Sequence, residues 1–327
     1  MKKFVILLMA IALIAGCSDS VLDDDLMLKK AKKTAVWNVP DDFATIQMAI
    51  DDPDVEDGAV IQVANGEHAG ALVTKAVTIK GSGKTVINDG PLLTSYMPCG
   101  TIVLDCGFFF TGAGAGSGAS ISNLTFDGVA FPVFSRGADD ISVKKCTMLN
   151  PIQGVTNWAG NNWVIDHNVI TDLRSANGGG IGVIIADNSG GIVENNVVSH
   201  NKISGTLSVA ECDGGNYAGS GIVLYADFRG SNTGAEEIKN NKVLYNKISL
   251  ESDNPEVVDV VAFELTDSRN DAILDPQVLL DNKIGFNDFR GTTIQVALTP
   301  ENLDEWNIIS RNLGDNRGHG VHPSLFK

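Results

Sequence analysis

Cysteine and histidine are sparse and scattered in this chain. Its five cysteines contain no Cys-x-x-Cys spacing, and His68, His167, His200, His319 and His322 lie far apart, a pattern that argues against a zinc site. Aromatic residues make up 6% of the sequence and no long segment carries a 3.6-residue apolar period, which argues against a helical bundle. Basic residues are also scarce: 24 Lys and Arg stand against 40 Asp and Glu, for a formal charge of −16. Such a surface repels nucleic acid and bare polyanions, so an anionic glycan needs local Arg or Lys, or a bridging cation. Phe4 to Ile14 forms an apolar run too short to span a bilayer. Glycine, by contrast, is abundant at 35 residues and favours many turns between short strands.

The N-terminus reads as a processing signal, with Lys2 and Lys3 before the apolar run and small residues, Ala15 and Gly16, before Cys17. Leu13-Ile14-Ala15-Gly16-Cys17 resembles the lipobox of bacterial lipoproteins, which implies cleavage before Cys17 and lipidation of that residue. Residues 1–16 are then a signal peptide, and loss of Lys2 and Lys3 takes the charge from −16 to −18. Residues 17–35 carry Asp23 to Asp25 and a Lys29 to Lys33 cluster with little apolar content, and read as anchor and tether. The expected location is the cell envelope, with the membrane reached through the lipid and Ser18 resembling sequences sent to the outer membrane. In that oxidising compartment Cys99 and Cys106 could close a small loop, whereas Cys146 falls at a core position.

Residues 36–327 show internal repetition. An apolar residue, two variable residues, a ladder residue, one variable residue and usually another apolar residue recur as Ile121/Leu124/Phe126, Val143/Cys146/Met148, Ile165/Asn168/Ile170, Val193/Asn196/Val198, Ile238/Asn241/Val243, Leu279/Asn282/Ile284 and Ile309/Asn312/Gly314. Asn suits this ladder because it tolerates left-handed backbone and its amide can bond to the next coil's Asn. A shorter column, Asn201, Asn246 and Asn287, lies five residues further on. A second face is expected from Val183 to Asp187, Val223 to Asp227, Phe263 to Asp267 and Val296 to Pro300, which align without gaps. Val39 to Ile50 places Phe43, Ile46, Ala49 and Ile50 on one helical face and predicts a short helix shielding the first coil's open strand edges.

The Thr45-Ile46-Gln47-x-Ala49-Ile50 helix, Asn65-Gly66-Glu67-His68, Val77-Thr78-Ile79-Lys80-Gly81 and the Asn-ladder coils together resemble the pectin-lyase-like superfamily over about residues 36 to 320. The resemblance implies one all-β domain, a single right-handed parallel β-helix with a short N-terminal capping helix. It does not select an activity, because the superfamily includes lyases, hydrolases, methylesterases, epimerases and proteins without catalysis. The Gly-Arg-Pro-Trp context of the methylesterases is absent, and Gln153 is an isolated match. Asp139-Asp140 and Gly318-His319-Gly320 resemble polygalacturonase elements but lie nearly a whole solenoid apart.

Lyase chemistry on this fold needs a cation to neutralise a uronate carboxylate and a basic residue to take the neighbouring proton. The second-face alignment predicts Asp187, Asp227 and Asp267 as a stacked Ca²⁺ site, Arg229 and Arg269 as catalytic bases, and Tyr225 and Glu264 as sugar contacts. The competing expectation is that each Asp closes its own turn and the Arg residues pair with the Asp column. Lys144, Lys145, Asp166 and His167 form a rival cluster on the lean coils, and insertions at Ser204 to Ser220 and Glu251 to Pro255 could frame a cleft. The functional expectation is an envelope-anchored carbohydrate-active protein, lyase-like on an acidic polysaccharide; the alternative is a non-catalytic glycan-binding, adhesion or structural lipoprotein.

Overall fold

The computed structural model describes residues 34–97, 100–112, 114–176, 179–210, 219–267, 278–279 and 281–299. Cys17, the tether as far as Lys33, Cys99, Cys212, Arg269, Asn312 and the Gly318-His319-Gly320 segment lie outside these residues.

Short strands stack in parallel into three sheets, bonding to their equivalents one coil away, while Leu92–Met97 pairs antiparallel with Gly100–Phe110 off the third sheet. The first sheet runs from Val36–Val39 to Lys283–Gly285, the second from Gly66–Ala69 to Lys247–Ser252, and the third from Ala71–Leu72 to Ile294–Thr299. This is the expected right-handed β-helix, in which every crossover between parallel neighbours winds the same way. Alternation sets the core. In the first sheet Ile61, Ile79, Ile121, Val143, Ile165, Val198, Val243 and Ile284 are register partners in turn, and all are buried. Ile87, Phe126, Met148, Ile170, Ile203 and Ile248 form the matching row of the second sheet.

Two turns repeat on successive coils. Between the first and second sheets one residue adopts left-handed backbone (Asn123, Lys145, His167, His200, Tyr245 and Phe286, φ 53–60°) and the next residue is buried. Those buried residues form the column Leu124, Cys146, Asn168, Asn201, Asn246, Asn287. Each Asn Oδ1 accepts the main-chain N–H of the residue one coil earlier, at 2.8–3.0 Å from Cys146 through Asn246. The turn entering the first sheet repeats the device with Trp163, Asn196, Asn241 and Asn282.

The ladder expected from sequence is therefore corrected. Asn168 leads to Asn201, 33 residues on, and Asn196 belongs to the other column. The cause is an extra strand, Gly191–Glu194, paired with Ala235–Lys239, which inserts ahead of Asn196 and is absent from the lean coils.

The capping helix is shorter than expected. Val39 ends the first strand, and only Ile46–Asp51 is helical, with the Thr45 hydroxyl accepting from Met48 N at 3.1 Å. Ile46, Ala49 and Ile50 are buried, and Phe43 packs edge-on to Trp37. Gln47 supplies a further reason for the motif: its side-chain amide accepts from Leu72 N at 2.7 Å and donates to Leu72 O at 3.4 Å, standing in for a missing strand at the edge of the third sheet. Cys146 is a core thiol as expected. Cys106 is a free buried thiol, and the small loop it could close with Cys99 falls on a residue outside the described set.

Candidate site on the outer face of the third sheet

The inner row of the third sheet, Val133, Val155, Val183, Ile222 and Phe263, packs in the core. Residues one step along each strand must then face outward. Arg136, Trp158, Ala186, Tyr225 and Thr266 are successive register partners in such an outward row. Ala186 is small enough for the rings on either side to meet, and Trp158 and Tyr225 lie edge to face with centroids 6.0 Å apart. Arg136 lies 5.5 Å from the Phe134 ring and Arg229 5.5 Å from the Tyr225 ring, both within cation–π range. An open cleft of about 520 Å³ runs beside this row, lined by Arg136, Gly137, Trp158, Ala159, Asn188, Ser189 and Asp227. Phe109, Phe131 and Phe134 form an apolar bed at its upstream end.

The stacked Ca²⁺ site is not built. Asp187 faces Ala226, and Ala226 faces Asp267, so Asp227 falls one residue beyond the expected column. Asp187 closes its own turn. Its Oδ1 accepts from Asn188 N, Ser189 N and Ser189 Oγ, and its Oδ2 accepts from Gly191 N at 2.6 Å. Asp227 does the same locally, accepting from Arg229 N, Nε and Nη2 and from Asn232 Nδ2. Each carboxylate thus has its oxygens occupied by donors from its own turn. Asp267 ends the Val260–Asp267 strand, but its side chain is outside the described set.

The expectation for Arg229 is also revised. Its guanidinium grips Asp227 through Nε at 2.9 Å and Nη2 at 3.1 Å while lying over Tyr225. A guanidinium held this way orients and donates; it is poorly suited to accept a proton. Tyr225 occupies the outward row, as a sugar contact requires. Glu264 lies on the same face, opposite Val223 and two residues before Thr266. It accepts from Ser220 Oγ at 2.6 Å, and burial pushes its carboxyl above the ordinary range against the opposing effect of that hydrogen bond.

Gln153 accepts from Thr156 Oγ1, and Asp139 accepts from Asn161 N, so both serve local structure. Asp166 and His167 do meet, on the first-sheet side, with His200. Sequence reasoning missed Arg136 and Trp158. They were accessible by aligning the lean-coil strands Phe131–Arg136 and Gln153–Trp158 with Ile181–Asp187, since all three occupy the same sheet position.

No family model and no curated protein matches this chain. Among solved structures, it is similar to rice weevil pectin methyl esterase, at 11% identity over 89% of this chain and 90% of that one, with a TM-score of 0.43. It is also similar to the catalytic domain of a GH87 alpha-1,3-glucanase solved with tetrasaccharides, at 13% identity over 80% of this chain and 64% of that one, with a TM-score of 0.26. These are likenesses of fold, and the assignment as a parallel β-helix stands on the strand register of the chain itself.

Proposed function

We propose that this chain is an envelope-anchored β-helix protein, tethered through lipidated Cys17, that binds an acidic polysaccharide lengthwise along the outer face of the third sheet. The observation that carries this reading is the row Arg136, Trp158, Ala186, Tyr225 with Arg229 over its last ring. Aromatic faces suit the C–H faces of sugar rings, and the guanidinium fork of Arg136 suits a uronate carboxylate, while Arg229, gripping Asp227, steadies the Tyr225 ring. Arg136 to Tyr225 spans three strand spacings, about 14 Å, enough for a short oligosaccharide. In a chain of charge −16, a polyanion needs a local cation, and Arg136 supplies one in the lining of the cleft.

A catalytic role on the same glycan is the second reading, and Glu264 favours it. A carboxyl whose hold on its proton is raised by burial is the kind of group that could protonate a leaving oxygen. The Ca²⁺-assisted form of lyase chemistry draws no support from Asp187 or Asp227, whose oxygens are already engaged.

Calorimetric titration of the full chain with galacturonate, alginate and glycosaminoglycan oligomers tests the binding reading. Trp158→Ala and Arg136→Ala should each weaken binding by about tenfold or more, a loss of about 1.4 kcal/mol. No affinity tighter than about 1 mM for any of the three would reject it. Incubation of the same oligomers with ultraviolet detection of unsaturated uronides and a reducing-end assay separates binding from cleavage. Loss of cleavage, with binding kept, in Glu264→Gln would establish the second reading.

A further inference from the structure

On successive coils, the left-handed turn between the first and second sheets carries Lys145, His167, His200, Tyr245 and Phe286. Their side chains project outward, and the rings stack. The His167 and His200 centroids are 4.7 Å apart with planes 17° apart, and Tyr245 stacks on His200 at 5.2 Å. Asp166 lies beside the two imidazoles. His167 Nδ1 is 2.7 Å from its Oδ2, His200 Nδ1 is 3.1 Å from its Oδ1, and Ser199 Oγ donates to Oδ1 at 2.7 Å. One ligand atom from each of the three residues falls within 4.8 Å of the other two. Histidines 33 residues apart in sequence are thereby neighbours, because one coil separates them.

We propose that Asp166, His167 and His200 form a surface site for a divalent transition-metal ion of the Zn²⁺ or Ni²⁺ class. The residues lie close enough for such an ion: with bonds of about 2.1 Å, donors around one metal lie about 3.0 Å apart at right angles and about 3.4 Å apart at the tetrahedral angle. The observed separations, 2.7 Å from His167 Nδ1 to Oδ2 and 3.1 Å from His200 Nδ1 to Oδ1, are hydrogen-bond contacts that would open by less than about 1 Å as an ion replaces the Nδ1 protons. Two imidazole nitrogens with one carboxylate suit a borderline metal, whereas Ca²⁺ takes six to eight oxygens. When Nδ1 ligates, the proton of a neutral imidazole resides on Nε2, and both rings are about half exposed, so water can receive that N–H. Ring stacking on a rigid turn fixes both imidazoles before any ion arrives, so little side-chain freedom is lost on binding. The three protein ligands leave the remaining positions to water.

Titration of the full chain with ZnCl₂ and NiCl₂ in a non-coordinating buffer tests the site. The wild type should bind one ion here with a dissociation constant of about 1–100 µM, unaffected by excess Ca²⁺. His167→Phe and His200→Phe keep an aromatic rung in the stack while removing a ligand, and each should weaken this binding by about thirtyfold or more. In the wild type, Ni²⁺ should also broaden the ring-proton resonances of both His167 and His200, a readout that requires no variant. Unchanged isotherms in both Phe variants would overturn the proposal and assign the ion to other groups such as His319 and His322. Absence of binding tighter than about 1 mM would overturn it equally.

Discussion

Replacing Asn201 with leucine tests whether the buried amide columns hold the later coils together. The Asn201 side chain makes four hydrogen bonds: Nδ2 donates to Ile165 O at 2.9 Å and to Asn246 Oδ1 at 3.0 Å, and Oδ1 accepts from Asn168 N at 2.9 Å and Asn168 Nδ2 at 3.0 Å. Leucine has nearly the same shape and makes none of them. The Asn168 N–H loses its acceptor and the Ile165 carbonyl its amide donor, both away from water, at about 1–3 kcal/mol each. Burial of the added apolar surface returns about 1 kcal/mol, leaving a net destabilisation of about 3 kcal/mol. In a domain of this size that is a fall in Tm of about 6 °C. The control is Tyr245→Asn, one coil further on at a half-exposed turn with φ 59°, where Asn is well tolerated; its Tm should change by less than about 2 °C. Thermal scans at one fixed rate, followed by circular dichroism, compare the three chains. A fall for Asn201→Leu no larger than the control's would refute the view that the columns are obligatory partners for the main chain.

A Cβ on Gly182 would lie 2.5 Å from Gly221 O and 2.9 Å from Ile203 Cδ1, so Gly182→Val should cost about 2–3 kcal/mol, read as a Tm fall of several degrees. Glu264 holds its proton more tightly folded than unfolded, so its contribution to stability is present below the ordinary carboxylate range and is lost as pH rises through the raised folded value. Wild-type Tm should therefore decline relative to Glu264→Gln as pH rises from the ordinary carboxylate range, about 4, through the raised folded value, and parallel curves would show that the carboxyl is not desolvated. Burial pushes the Cys106 and Cys146 thiols up to about 12, so iodoacetamide at about pH 8 should leave both unmodified until urea is added, as read by peptide mass spectrometry.

The fold was legible because stacking imposes the same residue class at the same place on every coil. Cys146 and the Ile/Val rows announced themselves in this way. The ladder slipped by five residues because both repeating turns carry one local signature, a left-handed residue followed by a buried residue and a strand, and nothing local distinguishes Asn196 from Asn201. The second face slipped by one residue for a different reason. Ile222, Val223 and Leu224 are all buried, with Val223 in an apolar cluster outside the sheet, so the period-two alternation that fixes register is missing there. Side-chain destination was less legible still. An Asp after a strand reads identically whether it faces a ligand or folds back on its own turn, and the difference at Asp187 lies in the main-chain path to Gly191. The metal-like cluster was half visible in Asp166 and His167; its other half lay 33 residues away, within the slipped register.

The two amide columns begin partway along the chain, at Cys146 and Trp163, whereas the coils before them are filled by rings such as Phe108, Phe110 and Phe126. Apolar burial loses strength on cooling, while hydrogen bonds between buried amides are enthalpic and do not share that loss. The expected consequence is a thermal polarity, with amide hydrogen exchange on chilling rising first in the ring-filled earlier coils and later in the amide-spined ones.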